Sequence, residues 1–153
     1  MKKLILIGGP KDSGKIAVSK VLSQKLNQTI VLNDDKNPEM TLENTQTLLN
    51  TFIKDPSIEH IIFCGLLDKQ TIIDKLLSEL DLNGVKIVPV SLLPSVQKLT
   101  NDFQRDVSSN SNEPDKLKHT IEHLLKYQPL RTIKYDNSQM SPAETAAEIM
   151  TQI

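Results

Sequence analysis

Short runs of contiguous apolar residues alternate along this chain with longer stretches whose apolar positions recur every three to four residues. The runs are strand-length and rich in β-branched side chains: 3–7, 29–33, 59–64, 85–92 and 131–136. The longer stretches, 14–26, 42–54, 69–80, 95–106, 115–126 and 142–151, carry the period of amphipathic helices. Apolar strands alternating with helices are how a chain builds a parallel sheet covered on both faces. The pattern therefore predicts an α/β fold in three layers, α/β/α, with a five-stranded parallel sheet. Two local signals refine it. Pro89 removes a ladder donor in the middle of the fourth run, which predicts two short pieces or a bulge there. Ser141, Pro142 and Glu144 together spell a capped helix start: a hydroxyl for the open amides, a ring suited to the first helical position, and a carboxylate to close the box.

The chain has 153 residues, enough for one domain with a substantial core, and neither an internal repeat nor a linker divides it. Eighteen Lys and Arg against nineteen Asp and Glu, interspersed, give no argument for a nucleic-acid or membrane surface. Tryptophan is absent and aromatic residues are few, so base stacking is not an expected mode of recognition. The apolar start is strand-length, without the long core and cleavage site of a secretion signal. Nothing approaches the roughly 20 apolar residues of a membrane span. The single cysteine, Cys64, can form no internal disulfide or thiolate cluster. The expectation is a cytoplasmic protein.

The chemistry concentrates at the first strand-to-helix junction, where Gly9 to Lys15 read G-P-K-D-S-G-K. Glycines let a backbone curl until successive N–H groups point at one anion. The following helix adds the partial positive charge of its N-terminus, and Lys15 supplies a mobile cation. The spacing G-x4-G-K between a strand and a helix is that of a phosphate-binding P-loop. The loop departs from the usual pattern at two places. Ile16 stands where Ser or Thr ordinarily gives a hydroxyl to magnesium. Asp12 places a negative charge inside the loop, which opposes an anion, with Lys11 beside it as an offset.

With this loop and this order of elements, the chain resembles the P-loop kinase group that includes shikimate kinase, gluconate kinase and the nucleoside monophosphate kinases. The resemblance spans nearly the whole chain and implies a P-loop NTPase fold binding ATP with Mg2+. It implies phosphoryl transfer from ATP to a hydroxyl or phosphate acceptor. On it, Gly9, Pro10, Lys11, Asp12, Ser13, Gly14, Lys15 and Ile16 form the nucleotide loop, and Lys15 acts on the outer phosphates. The acid after the second strand is Asp34 or Asp35, catalytic, with Asp34 the candidate for Mg2+. Cys64 and Gly65, in the turn after the third strand, fall beside the acceptor. Arg105 falls in a lid over about 100–116, and Asn137 and Ser138 fall where the family contacts adenine. The polar stretch V-S-S-N-S-N-E-P, 107–114, read alone, is either a surface loop or a closing lid; its place in the family pattern favours the lid.

The departures also open a second reading: a catalytically impaired module that holds a nucleotide or phosphorylated metabolite without turnover. The chain has only two arginines, Arg105 and Arg131, whereas family lids usually carry more. An anionic acceptor usually calls for arginine, so a neutral or weakly charged one is favoured. The expected partners are a nucleotide and a small molecule, with neither nucleic acid nor membrane; oligomeric state is open. The remaining candidates have plainer readings. Cys64 reads as a small buried residue, Asp68 as a cap of the third helix, and His119 and His123 as surface residues lacking a third metal ligand. No N-K-x-D base-reading motif and no G-x-S-x-G elbow are present.

Overall fold

The computed structural model describes residues 1–34, 40–107 and 114–153. Five strands form one sheet: β1 (Lys2–Gly8), β2 (Thr29–Asn33), β3 (His60–Cys64), β4 (Val85–Leu92) and β5 (Ile133–Tyr135). The helices among the described residues are α1 (Lys15–Lys25), α2 (Leu42–Lys54), α3 (Gln70–Ser78), α4 (Val96–Val107), α5 (Pro114–Leu125) and α6 (Pro142–Met150). Across the sheet the order is β2-β3-β1-β4-β5, and every pairing is parallel. The strand–helix alternation of the sequence is thus the architecture observed.

Successive side chains of a strand point to opposite faces, and β1 uses this to feed two cores. Leu4 and Leu6 pack on one face with Leu49 of α2, Ile73 of α3, Leu99 of α4 and Leu124 of α5. Ile5 and Ile7 pack on the other with Val18 and Leu22 of α1 and Ile149 of α6. All four β1 residues are essentially inaccessible, as a central strand covered on both sides requires. Replacing any of them by alanine removes about 2–5 kcal/mol of stability on the scale of buried aliphatic truncations.

Pro89 does not split β4. The strand runs unbroken opposite β1, with Pro89 facing Leu6, and β5 joins only from Val90 onward. On that flank no ladder has yet begun at Pro89, so its missing donor costs little there. The helix α6 starts as its sequence says: Ser141 Oγ accepts from the Glu144 amide at 3.1 Å and the Glu144 carboxylate accepts from the Ser141 amide at 3.1 Å. The cap expected of Asp68 is not formed. Residue Lys69 is the N-cap of α3, without a side-chain bond.

The register aligns the strand ends that matter. Ile7 pairs with Cys64, Cys64 with Asn33, and Gly8 with Ser91. The loops that follow β1, β2, β3 and β4 therefore emerge along one edge. From β1 the chain crosses to β2 on one side, while β4 and β5 extend the other, so the loop after β1 lies at the switch point where open α/β sheets bind ligands. Of the expected lid, the described residues are the end of α4 and the start of α5, and 108–113 lie outside them. Among the described residues no helix is long and apolar enough to cross a membrane.

Candidate functional site

The segment from Gly9 to Gly14 needs backbone that few residues supply. Gly9 has φ +151° and Gly14 has φ +89°, with Asp12 between them at +64°. A Cβ on Gly9 would stand 2.6 Å from the Leu92 carbonyl oxygen and 2.6 Å from Ser13 Oγ. Only glycine fits. Asp12 tolerates the left-handed region better than most side chains. The Ser13 amide donates back to the Pro10 carbonyl at 3.1 Å, which closes the turn, and Gly14 is the N-cap of α1.

Lys15, in the first turn of α1, folds back over this loop. Its Nζ donates to the Gly9 carbonyl at 2.7 Å and reaches the Pro10 carbonyl at 3.4 Å. Although a lysine, it is only 5% exposed. The buried ammonium is held by carbonyl dipoles above a loop whose glycines bring backbone close. Ser13 lies inside the same ring: it is 3% exposed, and its Oγ has no hydrogen-bond partner among the described residues. A buried hydroxyl without a partner costs about 1–3 kcal/mol. A phosphate oxygen placed there would complete the bonding, so the residues of the loop fit a phosphate group.

A cleft of about 820 Å³ opens beside the loop. The loop and first turn line one side, Lys11 to Ala17 with Ile16 among them, and Asp34, Leu66, Leu67, Asp68 and Ile72 line the rest. Asp34 follows β2 and is held by its amide, which donates to the Cys64 carbonyl at 3.2 Å. Gly65 donates its own amide to the Ile7 carbonyl at 3.2 Å, which ties the β3 exit to β1. Cys64 is fully buried, with Sγ 3.9 Å from the Lys15 carbonyl oxygen. It sits under the first turn of α1, a packing position. Asp35 lies outside the described residues.

For Mg2+ the residues offer little. Among the described residues no group of three or more His, Cys, Asp and Glu could hold a metal. The Ile16 side chain supplies no oxygen, and of the carboxylates lining the cleft Asp12 belongs to the phosphate loop and Asp68 is engaged by His123, which leaves Asp34 as the candidate. One carboxylate with phosphate oxygens and water is a set that Mg2+ accepts, so the site fits the ion only when nucleotide shares it.

On the far side of the loop is a second cavity, about 170 Å³, lined by Asp12, Gly14, Lys98, Asn137 and Met140 among others. Asn137 Nδ2 donates to the Ser13 carbonyl at 2.7 Å, while its Oδ1 is buried with no partner among the described residues. Ser138 does not line this cavity. Its Oγ accepts from the Ser95 amide at 2.7 Å and donates to Asp136 Oδ1 at 2.5 Å, tying the turn after β5 to the start of α4. Arg105 lies on the exposed face of α4, paired with Asp102 one turn away; it lines a separate open pocket of about 640 Å³ with Lys98, Asn101, Asp102 and Gln104, and neither of the two cavities at the loop. Lys98 of the same helix does reach the second cavity, and it bonds Asp102 at 3.4 Å.

One pair escaped sequence reasoning. Asp68 Oδ2 accepts from His123 Nε2 at 2.8 Å across 55 positions of sequence. His123 is partly buried, 24% exposed at the side chain, and meets the Tyr127 ring edge-on at 5.4 Å. It is not a surface residue. Its i−4 neighbour His119 is exposed and shares none of this.

No family model matches the chain, and no curated protein matches it in sequence. Solved structures align over nearly its whole length. A tunicamycin resistance protein from Deinococcus radiodurans superposes with TM-score 0.71 at 15% identity, covering 99% of this chain and 95% of that one. A fungal RNA kinase gives 0.67 at 12% identity, with 99% and 83% covered. A gluconokinase from Sinorhizobium meliloti gives 0.64 at 18% identity, with 97% and 90% covered. Identities this low carry the fold. With its five parallel strands and the glycine loop after the first, the chain has the P-loop NTPase fold.

Proposed function

We propose that the chain binds ATP and transfers its terminal phosphoryl group to a hydroxyl of a small molecule. The observation that carries this reading is the pair of buried groups in the glycine loop: the Lys15 ammonium held over it and the unpartnered Ser13 hydroxyl within it. Both are polar, both are nearly inaccessible, and an anion answers both. Two of the structural neighbours are kinases by name, which supports phosphoryl transfer as the class of reaction.

In this reading the loop amides and Lys15 hold the phosphates, and Asn137 offers Oδ1 to a donor on the base. Adenine has such a donor in its amino group. Asp34 faces the acceptor side of the cleft, where its carboxylate orients the attacking hydroxyl and accepts its proton. Mg2+, when bound with nucleotide, would rest on Asp34 and neutralise phosphate charge. Phosphoryl transfer depends almost wholly on such positioning and charge neutralisation. The lid over about 100–116, with Arg105 in it, is part of this proposal. We place the protein in the cytoplasm and, from the near-equal numbers of acidic and basic residues in the sequence, expect no nucleic-acid substrate.

The test is titration calorimetry with ATP, with and without Mg2+. Wild type gives measurable heat, and Lys15→Ala weakens affinity by at least about tenfold, or 1.4 kcal/mol. Equal affinity of the two proteins would end the proposal. Ile16 motivates a second reading, a nucleotide-holding module without turnover. Binding of ATP that never leads to phosphorylation of any hydroxyl acceptor would favour it.

A further inference from the structure

The wall of the cleft opposite the phosphate loop is built from apolar side chains and carboxylates. Leu66, Leu67 and Ile72 come from the β3–α3 turn and α3, and Ile16 faces the same space from α1. The polar groups on that side are Asp34 and Asp68. The cations lining the cleft among the described residues are Lys11 and Lys15, and both belong to the phosphate loop.

Asp68 is held in place. His123 engages its Oδ2 at 2.8 Å, and Tyr127 OH donates to the carbonyl of Leu66, two residues earlier. Two residues that follow one another on successive turns of the same stretch thus grip the short turn between β3 and α3. Between the gripped residues, Leu67 is forced to φ +42°, a backbone region that a branched, bulky side chain enters only when its surroundings insist. Beneath it Gly8 leaves room: a Cβ there would stand 3.1 Å from the Leu67 Cβ. The bond to His123 uses one oxygen of Asp68, and no other partner engages the second among the described residues.

We infer that Asp68 is an acceptor-binding residue, positioned by His123, and that it selects a hydroxylated compound with an apolar body, neutral or amine-bearing at this end. A carboxylate accepts hydrogen bonds from hydroxyl and ammonium groups and repels phosphate and carboxylate. Asp34 nearby adds to the repulsion. The apolar wall takes a ring or hydrocarbon framework, as ligand clefts commonly do. This inference rests on the kinase reading above and narrows its acceptor.

The test uses three probes that share a phenyl ring and a benzylic hydroxyl and differ in charge: 2-amino-1-phenylethanol, 1-phenylethane-1,2-diol and mandelate. Binding to the protein loaded with a non-hydrolysable ATP analogue is followed by ligand-observed NMR. The amine and the diol should bind at least about tenfold more tightly than mandelate. Asp68→Asn should collapse that preference while leaving affinity for the ATP analogue unchanged. His123→Leu should collapse it in part, and His123→Gln, which keeps a donor at similar reach, should restore it. A purely structural role for the pair would change affinity for the nucleotide or the melting temperature but not the order of the probes. Mandelate binding as well as the others, an order untouched by Asp68→Asn, or no binding by any probe would overturn the inference. If the ATP analogue itself fails to bind wild type, the nucleotide reading falls and takes this inference with it. If it binds and the order is wrong, only this inference falls.

Discussion

The carboxylate of Asp34 rests over the α-carbon of Gly65. A Cβ built on Gly65 would stand 2.7 Å from Oδ1, closer than Cβ atoms approach without a shift, and a tight 3.1 Å from Oδ2. The glycine therefore sets where the acid can lie, and β3 controls the acid that β2 delivers. Gly65→Ala should move the carboxylate while leaving the fold intact, because the clashing atoms are the end of a short side chain. On the kinase reading, a displacement near 1 Å costs about a hundredfold in turnover. ATP affinity should be nearly unchanged, since the phosphate loop is not touched. Steady-state kinetics beside a thermal melt check this; full activity in a folded Gly65→Ala protein would mean that Asp34 does no positioning.

Asp12 is the second place where two demands meet. The position requires a left-handed backbone, φ +64°, which glycine adopts freely and aspartate accepts at moderate strain. Its charge lines both the large cleft and the smaller cavity, where phosphates would feel it. Asp12→Gly should therefore tighten ATP binding by roughly 1 kcal/mol, about fivefold, the scale of an exposed charge interaction. Fold stability should shift little, because relief of strain is offset by the extra freedom of glycine in the unfolded chain. Raising the salt concentration should shrink the difference between the two proteins. Tighter binding that ignores salt would point away from charge.

Ile16 is 42% exposed and borders the cleft, so a polar residue there costs the core almost nothing. Ile16→Ser restores the oxygen that the position usually gives to magnesium. The ratio of ATP affinities with Mg2+ and with EDTA should rise by about tenfold over wild type, or 1.4 kcal/mol. Ile16→Ala controls for the loss of bulk. The same ratio in all three proteins would show that residue 16 does not face the metal.

How far the sequence spoke depended on whether its signals were local. The period of apolar residues and the spacing of Gly9, Gly14 and Lys15 are local patterns, and both the sheet and the loop followed from them. The capping box at Ser141 was local too. Pro89 misled because its cost depends on the neighbouring strand: β5 joins only at Val90, which no stretch of β4 discloses. Asp68 and His123 were harder still. They lie 55 positions apart, each is a common surface residue, and only the packing of α5 against the β3 exit brings them together. Its place before a helix suggests a cap for Asp68, but the partner of its carboxylate, His123, comes from α5. Asn137 and Ser138 fell in the expected turn, yet the fold gave them different work: one reaches the Ser13 carbonyl, the other fastens the start of α4.

Ser13 offers the sharpest contrast between folding and binding. Its hydroxyl is buried without a partner, a situation that destabilises the folded chain because the group has left water and gained nothing. Removing it should help the protein fold and hurt its ligand. Ser13→Ala should raise the unfolding free energy by up to about 1 kcal/mol, which for a domain of this size is a few degrees in melting temperature. The same change should weaken ATP binding by at least about tenfold, the worth of one hydrogen bond to a charged group. Opposite signs in the two measurements identify a group retained for a ligand rather than for the core, as stability given up at functional sites generally does. The reverse pattern is equally readable. A Ser13→Ala protein that melts lower would mean the hydroxyl has a structural partner, and one that binds ATP as wild type does would mean the phosphates never reach it.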